Sequence, residues 1–198
     1  MTKLIEGLPK GVAVYGASSK EIDDKYLEAA RQIGRLLADN NTPVVSGGGR
    51  GGIMAAVTEG ALEKGGTAIG VLPDFMIERG WNHPLLTHTI TTESMHERKA
   101  TMAALSCGAI AMPGGVGTLD ELFELITWRQ LGLYSGNVVI CNIYGFYDRL
   151  LEHLSYTDSL NFMRAEGPSK LWKTARTPEE AVDMALNEPL GTVPPLKY

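Results

Sequence analysis

Short apolar runs alternate along this chain with longer stretches in which apolar residues recur at helical spacing. Gly11 to Tyr15 reads as a first strand, closed by Gly16-Ala17-Ser18-Ser19. Tyr26 to Leu37 follows as a helix with Leu27, Ala30, Ile33, Leu36 and Leu37 on one side, and Asn40-Asn41 ends it. Pro43 to Ser46 is a second strand. Ile53 to Lys64 is a second helix stopped by Gly65-Gly66, and Thr67 to Leu72 is a third strand ending at Pro73-Asp74. Phe75 to Thr92 has no clear period: Trp81-Asn82-His83-Pro84 reads as irregular loop and Leu86 to Thr91 as a short strand. Ser94 and Glu97 have capping-box spacing and open a helix from about Met95 to Leu105. Ala109 to Met112 is a buried strand, and Thr118 with Glu121 predicts a second capping box and a helix toward Leu131. Val138 to Cys141 adds a strand and Phe146 to Leu154 a helix. Thr177-Pro178-Glu179-Glu180 opens the last helix, and the proline-rich tail is read as surface or packed against a neighbour.

Repeated strand–helix–strand units predict a parallel sheet with helices on both faces, in one α/β domain spanning residues 1–198. Ligands of such folds bind beyond the carboxyl ends of the strands. Two glycine loops should lie there: Gly47-Gly48-Gly49-Arg50-Gly51-Gly52 and Pro113-Gly114-Gly115-Val116-Gly117.

Composition narrows this little. Hydrophobic content of 44% and charged content of 21% suit a water-soluble domain, and a net charge of -5 argues against nucleic acid or an anionic membrane surface as partner. No targeting leader or membrane span is expected, so a cytoplasmic location is. Cys107 and Cys141 lie in apolar stretches without metal-ligand spacing and are expected to be buried thiols.

The glycine loops carry the candidate chemistry. Glycines bring backbone N–H groups close to a ligand, and a helix start after them adds the positive end of its dipole, which together suit a phosphate. The plainer reading is a turn with Glu121 as a cap. The first loop also satisfies G-x-G-x-x-G with Asp74 where a ribose-binding acid is expected, so an NAD(P)-dependent oxidoreductase is an alternative. Against it, that loop follows the second strand rather than the first. No Lys-Ser or Lys-Thr follows either loop, which disfavours a P-loop. Arg98 and Lys99 sit near a helix start, where cations oppose the dipole, and a guanidinium there suits phosphate or carboxylate. His96 reads as a surface residue or one supporting the site from behind, and no metal site is predicted.

Taken together, Ser46-Gly47-Gly48-Gly49 with Gly52, Met95-His96-Glu97-Arg98-Lys99, and Pro113-Gly114-Gly115-Val116-Gly117-Thr118-Leu119-Asp120-Glu121 resemble the LOG (Lonely Guy) family. Its members are cytokinin riboside 5′-monophosphate phosphoribohydrolases, many labelled "possible lysine decarboxylase". The resemblance runs from about Val12 to Leu151, through Ile126-Thr127-Trp128 and Gly145-Phe146-Tyr147. It implies a Rossmann-like fold, a homodimer or higher homo-oligomer, and hydrolysis of the N-glycosidic bond of an adenosine-type 5′-monophosphate to free base and ribose 5-phosphate. No cofactor is implied. By motif position Arg98 and Glu121 match the catalytic pair. Lys99, Gly114, Gly115, Val116, Gly117, Thr118, Leu119, Asp120 and Thr127 match the substrate-binding set, with Glu78 a looser match. Gly47, Gly48 and Gly49 join that set if both loops grip the 5′-phosphate. A nucleotide-sensing module without hydrolysis would share every loop feature. Ser46 stands where many members have tyrosine, Arg50-Gly51 replaces a small pair, and the sequence from Ser155 to Lys170 diverges. These departures bear on base preference and the dimer edge more than on the bond broken.

Overall fold

The computed structural model describes residues 7–163, 170–187 and 190. Among them seven parallel strands form one sheet in the order β4-β3-β2-β1-β5-β6-β7. The strands are β1 (Gly11–Tyr15), β2 (Val44–Ser46), β3 (Ala68–Pro73), β4 (His88–Thr92), β5 (Ser106–Ala111), β6 (Asn137–Cys141) and β7 (Lys173–Ala175). The helices between and after them are α1 (Asp24–Asp39), α2 (Gly52–Glu63), α3 (Asp74–Glu78), α4 (Met95–Ala104), α5 (Val116–Gln130), α6 (Asp148–Ser159) and α7 (Pro178–Leu186).

The period-2 alternation of the strands divides the core between the two faces of the sheet. Val12, Val14, Val44, Ile110 and Val139 point toward Ile33 and Leu37 of α1, Ile53 and Val57 of α2 and Val182 of α7. Ala13, Tyr15, Val45, Val71 and Ile140 point the other way, toward Met102 of α4, Leu122 and Leu125 of α5 and Leu154 of α6. This is the three-layer arrangement expected of a Rossmann-like chain.

Two predicted caps form. The Ser94 hydroxyl accepts from the Glu97 N–H at 3.1 Å, and Thr177 accepts from Glu180 at 3.2 Å with Pro178 opening α7. The third does not. α5 begins two residues before Thr118, with Gly115 as its N-cap, and the Leu119 N–H bonds to the Gly115 carbonyl at 3.1 Å. Glycine tolerates the N-cap backbone without a side chain to cap it, and Thr118 is buried against Gly114, where a Cβ would collide with its hydroxyl. Glu121 therefore lies in the second turn of α5, and the plain capping reading fails.

Other differences have local causes. α3 and β7 are too short to show a period and were not predicted. The helix expected from Phe146 starts at Asp148, because Ile143–Gly145 makes a 3-10 turn with Tyr144 at φ 55. Asn142 takes up this bend by accepting from the Tyr147 N–H at 2.7 Å and donating to Asp148 at 2.8 Å. Cys107 is exposed, not buried. The register between β1 and β5 shifts at Gly11/Val12, which leaves Cys107 as the extra residue of a bulge at the amino edge of the sheet. Part of the divergent segment (164–169) and the proline-bearing tail (191–198) lie outside the described residues.

Candidate active site

The sheet changes direction of winding between β1 and β5, so the loops leaving these two strands diverge and open a cleft at their carboxyl ends. Met112 N–H bonds to Tyr15 O at 2.8 Å and Ala17 N–H to Pro113 O at 3.1 Å, which fixes the two loop starts side by side. The cleft holds a cavity of about 570 Å³. Its wall includes Gly47, Gly49, Arg98, Gly115, Val116, Gly117, Thr118, Asp120 and Glu121 from the predicted site.

The two glycine loops play different parts. At the start of α5 the N–H groups of Val116, Gly117 and Thr118 precede the first intrahelical bond and have no acceptor among the described residues. These three residues line the cavity at the positive end of the helix, an arrangement that suits an anion. The first loop spends much of its main chain internally. Gly48 N–H donates to the Ser46 hydroxyl at 3.1 Å, Gly48 O accepts from His83 N–H at 2.8 Å, and Arg50 N–H donates to Trp81 O at 3.0 Å. The first loop is thus a scaffold as well as part of the cavity wall, through Gly47, Gly49, Arg50 and Gly51.

What it scaffolds is Arg98. This guanidinium, 6% exposed, donates through Nε to Val71 O and through Nη2 to Gly47 O, both at 2.9 Å. A Cβ at position 47 would collide with the Arg98 Nη2, so glycine is required for this close approach. Burial pulls the Arg98 pKa down, and the negative charge of Glu121 opposes that pull. Glu121 faces the same cavity from α5, with no hydrogen-bond or ion-pair partner among the described residues. Burial raises its pKa to about 7, against the opposing effect of Arg98. A carboxyl group poised near neutrality beside a buried cation, one turn from an anion site, is a pattern typical of reactive groups.

Lys99 does not reach the cavity wall. Its ammonium is held by Asp120 at 3.0 Å and Glu124 at 3.3 Å. Burial works against its charge, but these carboxylates outweigh it and raise the pKa. A lysine held protonated in this way is unsuited to form a Schiff base. Gly48, Gly114 and Leu119 lie behind the wall, whereas Glu78 and Thr127 are exposed on α3 and α5 outside it. Sequence reasoning missed Tyr15, Lys20, Arg50, Met54, Met76, Trp81 and Met95, which also line the cavity. Tyr15, last residue of the strand at the switch point, was findable from that placement. Trp81 was not, because only its tertiary pairing with the first glycine loop brings it there. No group of three or more His, Cys, Asp or Glu suited to a metal occurs among the described residues.

Fold and cleft together place the chain in the class of Rossmann-like α/β proteins with a cleft at the switch point. Solved structures agree on the fold. The molybdenum cofactor binding protein from Rippkaea orientalis superposes with a TM-score of 0.67 at 20% identity, covering 89% of this chain and 95% of that one. The molybdenum cofactor carrier protein from Chlamydomonas reinhardtii gives 0.67 at 23% identity, covering 88% and 94%. The family model described as "Possible lysine decarboxylase" matches residues 54–185. The chain is 36% identical over 171 residues to the cytokinin riboside 5′-monophosphate phosphoribohydrolase LOG of Oryza sativa subsp. japonica, covering 86% of this chain and 70% of that protein. It is 38% identical over 149 residues to the cytokinin riboside 5′-monophosphate phosphoribohydrolase of Rhodococcoides fascians, covering 75% of each. The chain belongs to the LOG family.

Proposed function

We propose that this protein hydrolyses the N-glycosidic bond of adenosine 5′-monophosphate or an N6-substituted form of it, releasing adenine or a cytokinin base and ribose 5-phosphate. The observation that carries the reading is Glu121, an unpaired carboxyl group one turn from the free N–H groups of Val116, Gly117 and Thr118 and facing Arg98. The 5′-phosphate binds at those N–H groups, which sets the ribose beside Glu121. As the bond from C1′ to the base breaks, positive charge grows on the ribosyl ring, and the Glu121 carboxylate stabilises it. Water adds to C1′, its hydroxyl staying on the sugar while a proton goes to the departing base. Arg98, still a cation, holds negative charge of the substrate and lowers the Glu121 pKa. The residues invoked need no metal or cofactor.

Base release from AMP, followed by chromatography, is expected with and without chelator. The carboxylate is the active form of Glu121, so kcat/KM should rise with pH through about 7 and level off above it. Loss of turnover on chelation, or tight binding of intact AMP with no base released, would overturn the reading; the second result would favour a sensing module.

The same reading includes a homodimer and a cytoplasmic location. Phe123, Leu131 and Leu133 are exposed apolar side chains along α5 and the turn after it, Leu133 by 72%. No helix among the described residues is long and apolar enough to cross a membrane, and both cysteines are free. Sedimentation should give twice the chain mass, and Phe123→Asp should halve it. A wild-type monomer at micromolar concentration would defeat the dimer.

A further inference from the structure

Tyr15 is a cavity residue with a polar side chain that the proposed chemistry leaves unused. It ends β1 at the switch point and is only 4% exposed. Two other buried tyrosines satisfy their hydroxyls: Tyr147 donates to Met112 O at 2.7 Å, and Tyr134 pairs with Ser106 at 2.9 Å. The Tyr15 hydroxyl has no partner among the described residues, although its ring is packed in the core and lines the cavity. A buried phenol normally finds a partner, so one that faces an open cleft without any is poised for a ligand.

The chemistry of the neighbouring group narrows that ligand. Burial first, and then the charge of Glu121, raise the phenol pKa, so Tyr15 is a donor at neutral pH. An ionised Glu121 is an acceptor only. The two are not hydrogen-bonded to each other. Both line the same cavity, and a group that bridges them must accept from the phenol and donate to the carboxylate, which a hydroxyl does. Under the proposed hydrolysis Glu121 lies beside C1′, and the hydroxyl on the adjacent carbon is the 2′-hydroxyl. We infer that Tyr15 and Glu121 together hold the ribose 2′-hydroxyl, making Tyr15 the residue by which this site selects ribonucleotides over 2′-deoxyribonucleotides. This assignment rests on the hydrolase reading for the orientation of the sugar.

The test compares wild type and Tyr15→Phe on AMP and 2′-deoxy-AMP. Removing the 2′-hydroxyl alters the intrinsic lability of the glycosidic bond, so the informative quantity is the change in the AMP to 2′-deoxy-AMP ratio of kcat/KM between the two proteins. It should fall about tenfold or more in Tyr15→Phe, nearly all of it from slower use of AMP. An unchanged ratio overturns the assignment, including the case in which both nucleotides slow equally because the phenol positions water. Since the phenol bonds nothing among the described residues, Tyr15→Phe should melt at or above the wild-type temperature. A drop of more than about 5 °C would show that the hydroxyl supports the fold and would also overturn the inference. Competition binding of the two nucleotides to both proteins separates this question from catalysis. If wild type releases no base, the hydrolase reading falls, while loss of ribonucleotide preference in binding by Tyr15→Phe still supports the role of Tyr15.

Discussion

Glu121→Gln is expected to cut base release by on the order of a hundredfold or more and, above pH 7, to make the protein more stable. Glutamine keeps the shape of the side chain and lacks the charge that opposes a developing ribosyl cation. Because Glu121 lies past the first turn of α5, the change touches no cap. The stability gain follows from its titration. The pKa moves from 4.5 to about 7 in the fold, chiefly through burial, so folding favours the protonated form. That contribution is fully present below the ordinary glutamate value and is lost as pH rises through about 7. Ionised Glu121 then costs on the order of 3 kcal/mol, a burden that neutral glutamine does not carry. Melting curves at pH 5 and pH 8 should show the variant gaining several degrees relative to wild type only at the higher pH. Slow turnover with raised stability is a signature of a residue held for reaction rather than structure. A near-native rate would remove Glu121 from the mechanism.

Arg98→Ala should also cost on the order of a hundredfold or more in rate, with the opposite effect on stability. The carbonyl groups of Val71 and Gly47 lose charged donors at 2.9 Å, and each such loss costs about 1–3 kcal/mol unless water replaces the bond. Removing the cation also removes the pull that lowers the Glu121 pKa, so the acid limb of kcat/KM should move above about 7. Nucleotide affinity should weaken, which Glu121→Gln leaves largely intact. Arg98→Lys restores charge but not the fork that spans two carbonyls, and should recover the pH limb better than the rate. An unmoved acid limb in Arg98→Ala would show that the two groups are not coupled.

Most of this architecture was legible from period alone, because strands such as Gly11–Tyr15 and helices such as Asp24–Asp39 bury complete faces. The strand–glycine–helix order likewise located the cleft and part of its wall. What failed had a different physical origin. The Thr118-x-x-Glu121 spacing matched a capping box, but a glycine could start the helix two residues earlier, and local spacing does not register that competition. The contrast between the two glycine loops was hidden for a similar reason. Whether a loop N–H is free or spent depends on segment 81–83, which is more than thirty residues away in sequence and has no period of its own. The motif readings of Glu78 and Thr127 are of another kind: both residues are exposed on α3 and α5, outside this wall.

The pairing of the first glycine loop with segment 81–83 separates two kinds of heritable change. Its bonds run between main-chain atoms, Arg50 N–H to Trp81 O and His83 N–H to Gly48 O, and do not depend on which side chains stand at positions 50 and 81. Those side chains meanwhile form part of the cavity wall. Substitution there can therefore redraw the outline of the cavity while leaving Gly47, and the arginine seated on it, in register. Variation at positions 50 and 81 is thereby separated from the main-chain register that seats Arg98 on Gly47.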